Sequence, residues 1–282
     1  MHNKKRNNLC KEIAKAISKA QRFVEGIRHD PDNATHFSID AYAKRTLDLF
    51  NCSNACLRTK SYSSIPILLR AALESYAIVV NLVVDKSFIW VLELHQLKEK
   101  QNMIKRAKSL DELETETQSK EYLDFDRQVN ETIKLYNICI IDGKIDVFKD
   151  YKSKMERVKM RFQNAQLNHL HDVGYFLLCQ DAHSNMLSIE KLQLTAKQKE
   201  WKFHLSSRFT SNVYLYFAAI LDLVHGIPKR MHEYFNQGDS KELEQLKSFC
   251  ESIKSNYHFY GQLDKDDEVG ELEGNSPMEE HD

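Results

Sequence analysis

The segment Ile65-Pro-Ile-Leu-Leu-Arg70-Ala-Ala-Leu-Glu74-Ser-Tyr-Ala-Ile-Val-Val-Asn81-Leu-Val-Val84 is apolar on nearly every side of a helix, yet it carries an arginine and a glutamate four residues apart. A helix that is apolar all round is a buried helix. Charges are seldom buried without partners, because removing them from water is costly. The segment therefore predicts a central helix with a polar cluster inside a helical protein. Successive helical residues turn by about 100°, so Arg70, Glu74, Ala77 and Asn81 share one narrow face. Arg70 precedes Glu74, the less favourable order for a pair on one helix. Both groups are therefore expected to seek partners on other helices. The stretch is long enough to cross a bilayer, but a charge near the centre costs about 2.5–3.5 kcal/mol. A buried helix is the better reading, and no membrane is expected.

The rest of the chain agrees with a helical reading. Its 282 residues suit one large domain or two small ones. Only 8 are Gly and 4 are Pro, far below the usual ~7% and ~5%, which predicts long helices and short loops. The formal charge of -1 implies no attraction of the whole molecule to nucleic acid. Met1-His-Asn-Lys-Lys-Arg6 is basic, but an amphipathic stretch comes after it rather than the apolar core of a secretory signal. Six cysteines are scattered through helical patterns, which reads as a cytoplasmic protein with free thiols. Cys52 and Cys56 lie one turn apart without companions at zinc-finger spacing, so they are read as buried small hydrophobes.

Periodicity places helices over residues 8–28, 38–59, 65–84, 87–107 and 146–192, and from Trp201 to His225. Asp30-Pro-Asp-Asn33 is a turn signal. Residues 110–135 alternate acidic and basic groups and suit an exposed helix or an excursion. Asp142-Gly143 suits the type I′ turn of a hairpin, while Gly143 could equally end a helix. Gly226-Ile-Pro228 should interrupt its helix. Asp239-Ser-Lys-Glu242 matches a capping box for a last helix to about Tyr257. From Asp264 the chain is acidic and poor in apolar residues. The expected organisation is one all-α bundle over residues 1–262 with a disordered acidic tail over 263–282.

Two further constellations could carry chemistry. In the stretch Asn168 to Asn185, helical spacing puts Asn168, Asp172, Tyr175, Cys179 and His183 on one side. A histidine beside Asp and Tyr can serve as an acid or base near neutral pH, although a satisfied core histidine has the same pattern. Ahead of it, Lys154, Arg157 and Arg161 fall on one helical face. Such a strip suits an RNA backbone, and it equally suits an ordinary solvated face. The paired Glu-x-x-His motifs of a di-metal bundle are missing, as are a Gly-rich phosphate loop and a nucleophile elbow. Neither a metal nor a cofactor is expected.

The pairing of Leu68-Leu-Arg70-Ala-Ala-Leu-Glu74-Ser-Tyr with Tyr175-Phe-Leu-Leu-Cys179-Gln-Asp-Ala-His183-Ser resembles the bacterial family of unknown function DUF5677. Its members carry an L-R-x-x-x-E segment and, roughly a hundred residues later, a Y-x-x-x-S/C-x-x-x-H segment. The resemblance covers about residues 40–230, and only these two motifs are specific. It implies a helical fold, makes Arg70, Glu74, Tyr175 and His183 the family-like polar residues, and supplies no activity. Cys179 stands where a serine is common. More distantly, the chain is similar to the helical HEPN ribonucleases of defence and toxin systems. Their hallmark is an arginine and a histidine on one helix with four to six residues between them. Arg161 and His169 are separated by seven, so the pattern departs, and an arginine such as Arg70 would have to come from another helix.

The preferred reading is a non-catalytic interaction module, with a protein partner or a second copy, tied to defence or stress response. In that reading the cluster fixes helix register. The alternative is a metal-independent ribonuclease. There His183 is the acid or base, Arg70 stabilises the developing charge and Glu74 orients either. A binder of a small polar ligand within the bundle is the third reading.

Overall fold

The computed structural model describes residues 2–61, 64–109, 116–175, 178–179 and 207–257, and most of these are helical. The first helix, α1 (His2–Gly26), starts earlier than periodicity suggested and buries Leu9, Ile13, Ile17, Ala20 and Val24 at helical spacing. The turn at Asp30–Asn33 then launches α2 (Ala34–Thr59). Asn33 Oδ1 caps it, accepting from the Thr35 and His36 amides at 3.0 and 3.2 Å. In α3 (Ile65–Val84), Pro66 sits in the first turn, where its missing N–H is harmless. By length and composition α3 could cross a membrane, and most of it is buried within the protein.

With so few glycines, helices end on other residues. Lys60, Gln166 and Asn236 adopt left-handed backbone at φ 63, 58 and 51°. Ser61 N donates to Cys56 O at 2.9 Å and Leu167 N to Phe162 O at 2.8 Å, the six-to-one closure of a Schellman turn. Each such residue costs about 1–2 kcal/mol relative to glycine. Periodicity places the end of the helix before Lys60 at residue 59, as found, but not the stops at Gln166 and Asn236.

The chain sorts into two compact units. The first comprises the described residues of Met1–Arg28, Ala43–Tyr76 and Asp172–Asp282, and the second those of His29–Tyr42 and Ala77–His171. In the first, α1 packs on α8 (Ser207–Phe235) and α9 (Ser240–Asn256), which also pack on each other. The expected break at Gly226-Ile-Pro228 does not occur. Pro228 forfeits one backbone hydrogen bond, yet Val224, Ile227 and Met231 around it are buried and hold the helix together. Asp239 caps α9 as the capping box foretold, accepting from Lys241 N at 2.8 Å.

In the second unit, α4 (Phe88–Ser109) packs on α5 (Glu116–Ile138) and on α6 (Val147–Lys154). Between α5 and α6 the hairpin forms, with β1 (Ile140–Ile141) and β2 (Ile145–Asp146) antiparallel and Ile141 opposite Ile145. Asp142 and Gly143 have φ of 55 and 66°, and Lys144 N donates to Ile141 O at 3.1 Å, as a type I′ turn requires. Where one or two long helices are expected from residue 146, the chain forms α6, a break, α7 (Val158–Asn164) and a π-helical turn over Leu170–Tyr175. At the break, the Met155 and Glu156 amides both donate to Tyr151 O at 2.9 Å, and Arg161 Nε takes the Met155 carbonyl at 3.1 Å. A side-chain donor has replaced the backbone donor that would have continued the helix.

All six cysteines are free, and Cys52 is exposed rather than buried as expected. The acidic tail and the stretch 180–206 lie outside the described residues.

One turn is tightly constrained. Gly238 has φ +93°, and a Cβ there would stand 2.4 Å from Phe23 Cζ. Gly143 also has positive φ, but nothing lies within 4 Å of its Cβ position. In urea titrations, Gly238→Ala should lose about 2–4 kcal/mol, combining strain with overpacking. Gly143→Ala should lose only about 1–2 kcal/mol. Equal losses would show that the Phe23 ring gives way.

Candidate functional site

Arg70 and Glu74 stand one turn apart on α3, and the π-helical turn delivers Tyr175 between them. The Tyr175 hydroxyl donates to Glu74 Oε1 at 2.8 Å and accepts from Arg70 Nε at 3.0 Å. The direct Arg70 Nε to Glu74 Oε1 contact is longer, at 3.4 Å. The phenol is therefore the bridge, and the ion pair is secondary. The guanidinium carbon also lies 5.4 Å from the centroid of the Tyr175 ring. Tyr175 is buried, while the Arg70 and Glu74 side chains keep 32% and 25% exposure.

Burial, the hydrogen bond to Glu74 and the Glu74 charge all hold the proton on Tyr175, pushing its pKa well above the ordinary 10.0. Burial alone would weaken the Arg70 charge, but the Tyr175 hydroxyl and then Cys179 and Glu74 outweigh it and raise its pKa. At neutral pH the cluster thus holds a permanent cation and a neutral phenol, with the Glu74 carboxylate 3.4 Å from the guanidinium. Tyr175 cannot exchange a proton readily near neutrality, so acid–base work would fall to His183, which lies outside the described residues.

The third polar residue of the seam, Asn81, serves the second unit. Fully buried, it donates through Nδ2 to Ala77 O at 2.8 Å and to Arg161 O at 2.9 Å, and its Oδ1 accepts from Asn164. Arg161 is itself buried, with Nη2 3.3 Å from His95 Nε2. Arginine only donates, so that nitrogen accepts and the ring proton sits on Nδ1. The His95 ring stacks on Tyr151 at 6.2 Å. Sequence reading missed His95 and Asn164. Nothing near either in sequence marks it, and only Asn81, as a polar residue on an apolar helix, advertised that a partner was needed.

The strip of Lys154, Arg157 and Arg161 is not assembled. Its helix breaks at residues 155–157. Arg161 turns inward, its Nε donating to the Met155 carbonyl, and Lys154 Nζ lies 2.9 Å from both Asp85 and Asp150. Burial opposes both charges, but hydrogen bonds to Asp85 and Asp150 raise the Lys154 pKa, and hydrogen bonds from Ser87 and then Lys154 lower that of Asp85. Arg157 alone of the three stays exposed.

The family model described as a family of unknown function (DUF5677) matches residues 36–200, a span that contains Arg70, Glu74, Asn81, Arg161 and Tyr175. No curated protein and no solved structure matches the chain.

Removing the Tyr175 hydroxyl by Tyr175→Phe should cost about 1–2 kcal/mol in chemical denaturation, the scale of a charge-linked hydrogen bond. Its pKa is raised on folding, so the stabilisation is complete below about pH 10, the value of an unfolded tyrosine, and declines as pH rises above it. Wild type and Tyr175→Phe should therefore converge in stability under strongly alkaline conditions, and a constant gap would refute the bridge. In the second unit, Asn81→Ala strands the Arg161 carbonyl and the Asn164 amide and should cost about 2–4 kcal/mol. A loss under ~1 kcal/mol would show that water replaces the amide.

Proposed function

The chain belongs to the family of unknown function DUF5677, and on that premise we propose that it is a non-catalytic helical interaction module. The observation that carries this reading is the outer face of α5. Leu123, Leu135 and Ile138 are 57, 62 and 77% exposed, and Ile140, on the hairpin just beyond the end of α5, is 64% exposed. Large apolar side chains exposed along one helix face suit an interaction surface. The Arg70–Glu74–Tyr175 cluster supports the same reading. Its phenol is held protonated and joined to both charges, which suits a lock between α3 and the turn at Tyr175 better than a group that turns over.

The ribonuclease reading draws support from one feature, the partial exposure of Arg70 beside a buried phenol, which would suit a phosphate. Incubating purified protein with end-labelled RNA separates the two. Under the proposal, wild type and His183→Ala leave the RNA equally intact across pH 6–8. Cleavage by wild type that is lost in His183→Ala, with the fold unchanged, would replace the module by an enzyme.

A further inference from the structure

The outer face of α5 has a charge order that fits a reversed copy of itself. At about 100° per residue, Leu123, Asp124, Arg127, Glu131, Lys134, Leu135 and Ile138 fall within one sector. Val129 and Ile133, both buried, lie opposite. The sector's charges alternate along the helix: Asp124, Arg127, Glu131, Lys134. Arg127 and Asp124 pair within the helix at 3.3 Å while staying 68 and 52% exposed. Glu131 and Lys134 have no ion-pair partner among the described residues.

Two such helices laid antiparallel about a two-fold axis level with residue 129 bring Arg127 beside Glu131 near the middle of the face, and set Asp124 level with Lys134, whose long side chain can reach across. The same register sets the aliphatic stem of Lys120 beside Ile138 on the midline of the face, with Leu123 and Leu135 at its two edges. Charge order and the midline apolar contact thus select one alignment together. A parallel alignment would set each charge against its own copy. Because a two-fold contact must be self-complementary, this match is the one an isologous dimer requires.

We propose that α5 docks against α5 of a second copy of this chain, antiparallel and in that register, making the chain a reversible homodimer. This rests on the interaction-module reading and names its partner. The helix is only about 35 Å long at ~1.5 Å per residue, so the contact sits at the small end of specific interfaces. The dimer is accordingly weak and concentration-dependent. Its charge pairs are exposed, so salt weakens it.

Sedimentation velocity of the full chain over a concentration series from about 1 to 300 µM tests this, since a Kd in the micromolar range corresponds to a contact of modest size. The wild type should shift from monomer to dimer. Leu135→Glu with Ile138→Glu should weaken association at least tenfold, as should Glu131→Arg alone. Arg127→Glu combined with Glu131→Arg should return it to within about threefold of wild type, because the swapped charges still face each other across the axis. All four positions are exposed, and matching thermal melts by circular dichroism verify that the variants fold. A chain that stays monomeric throughout, a dimer indifferent to these changes, or a double charge swap that fails to restore association would each overturn the proposal. None of these results bears on RNA cleavage. Conversely, His183-dependent cleavage would sink the module reading while leaving a measured dimer in place.

Discussion

The structure depends on the need to satisfy three polar side chains on a helix that is otherwise apolar. Asn81 is fully buried, and Arg70 and Glu74 are partly withdrawn from water, so leaving any of them without a partner carries a desolvation cost. Each draws a specific group to α3. Arg70 and Glu74 take the Tyr175 hydroxyl, and Asn81 takes the Arg161 carbonyl and the Asn164 amide. An all-apolar α3 would pack as well and specify less. Apolar contacts tolerate sliding, whereas a phenol that must reach both a guanidinium and a carboxylate does not.

The same competition for hydrogen bonds explains why the middle of the chain is broken into short pieces. Between residues 147 and 175 neither glycine nor proline interrupts the chain before Gly174. The stops come from side chains and left-handed residues instead. Arg161 captures the Met155 carbonyl, Gln166 closes α7, and the backbone then widens into a π-helical turn. Such turns add a residue per helical repeat and re-aim the side chains beyond them. Here the residue at the end of that turn is Tyr175, whose hydroxyl must meet α3.

Legibility in the sequence depends on how local each signal is. The all-helical class, the turn at Asp30–Asn33, the cap at Asp239 and the buried α3 rest on neighbours within a few residues, and periodicity reveals them. The union of Arg70, Glu74 and Tyr175 was legible only as two half-motifs and a resemblance, since 105 residues separate Arg70 from its partner. The buried fate of Arg161 was not legible. A basic run looks the same whether its members face water or one of them answers a buried carbonyl. The continuation of α8 through Pro228 was hidden for a related reason, because tertiary burial there outweighs a local penalty.

The contrast between interior and surface bears most on function. Within each unit the singled-out polar groups engage one another: a phenol with a carboxylate and a guanidinium, an asparagine with a carbonyl and an amide. Such groups resist change, and changing them should be felt first as lost stability. On the outer face of α5 the situation is reversed. Large apolar side chains stand in water beside Glu131 and Lys134, which have no ion-pair partner among the described residues. Burying that face against a complementary one removes apolar area from water at about 25 cal/mol per Å² and supplies opposite charges to both groups. The free energy available for recognition therefore lies on α5 rather than in the polar cluster that first draws attention in the sequence.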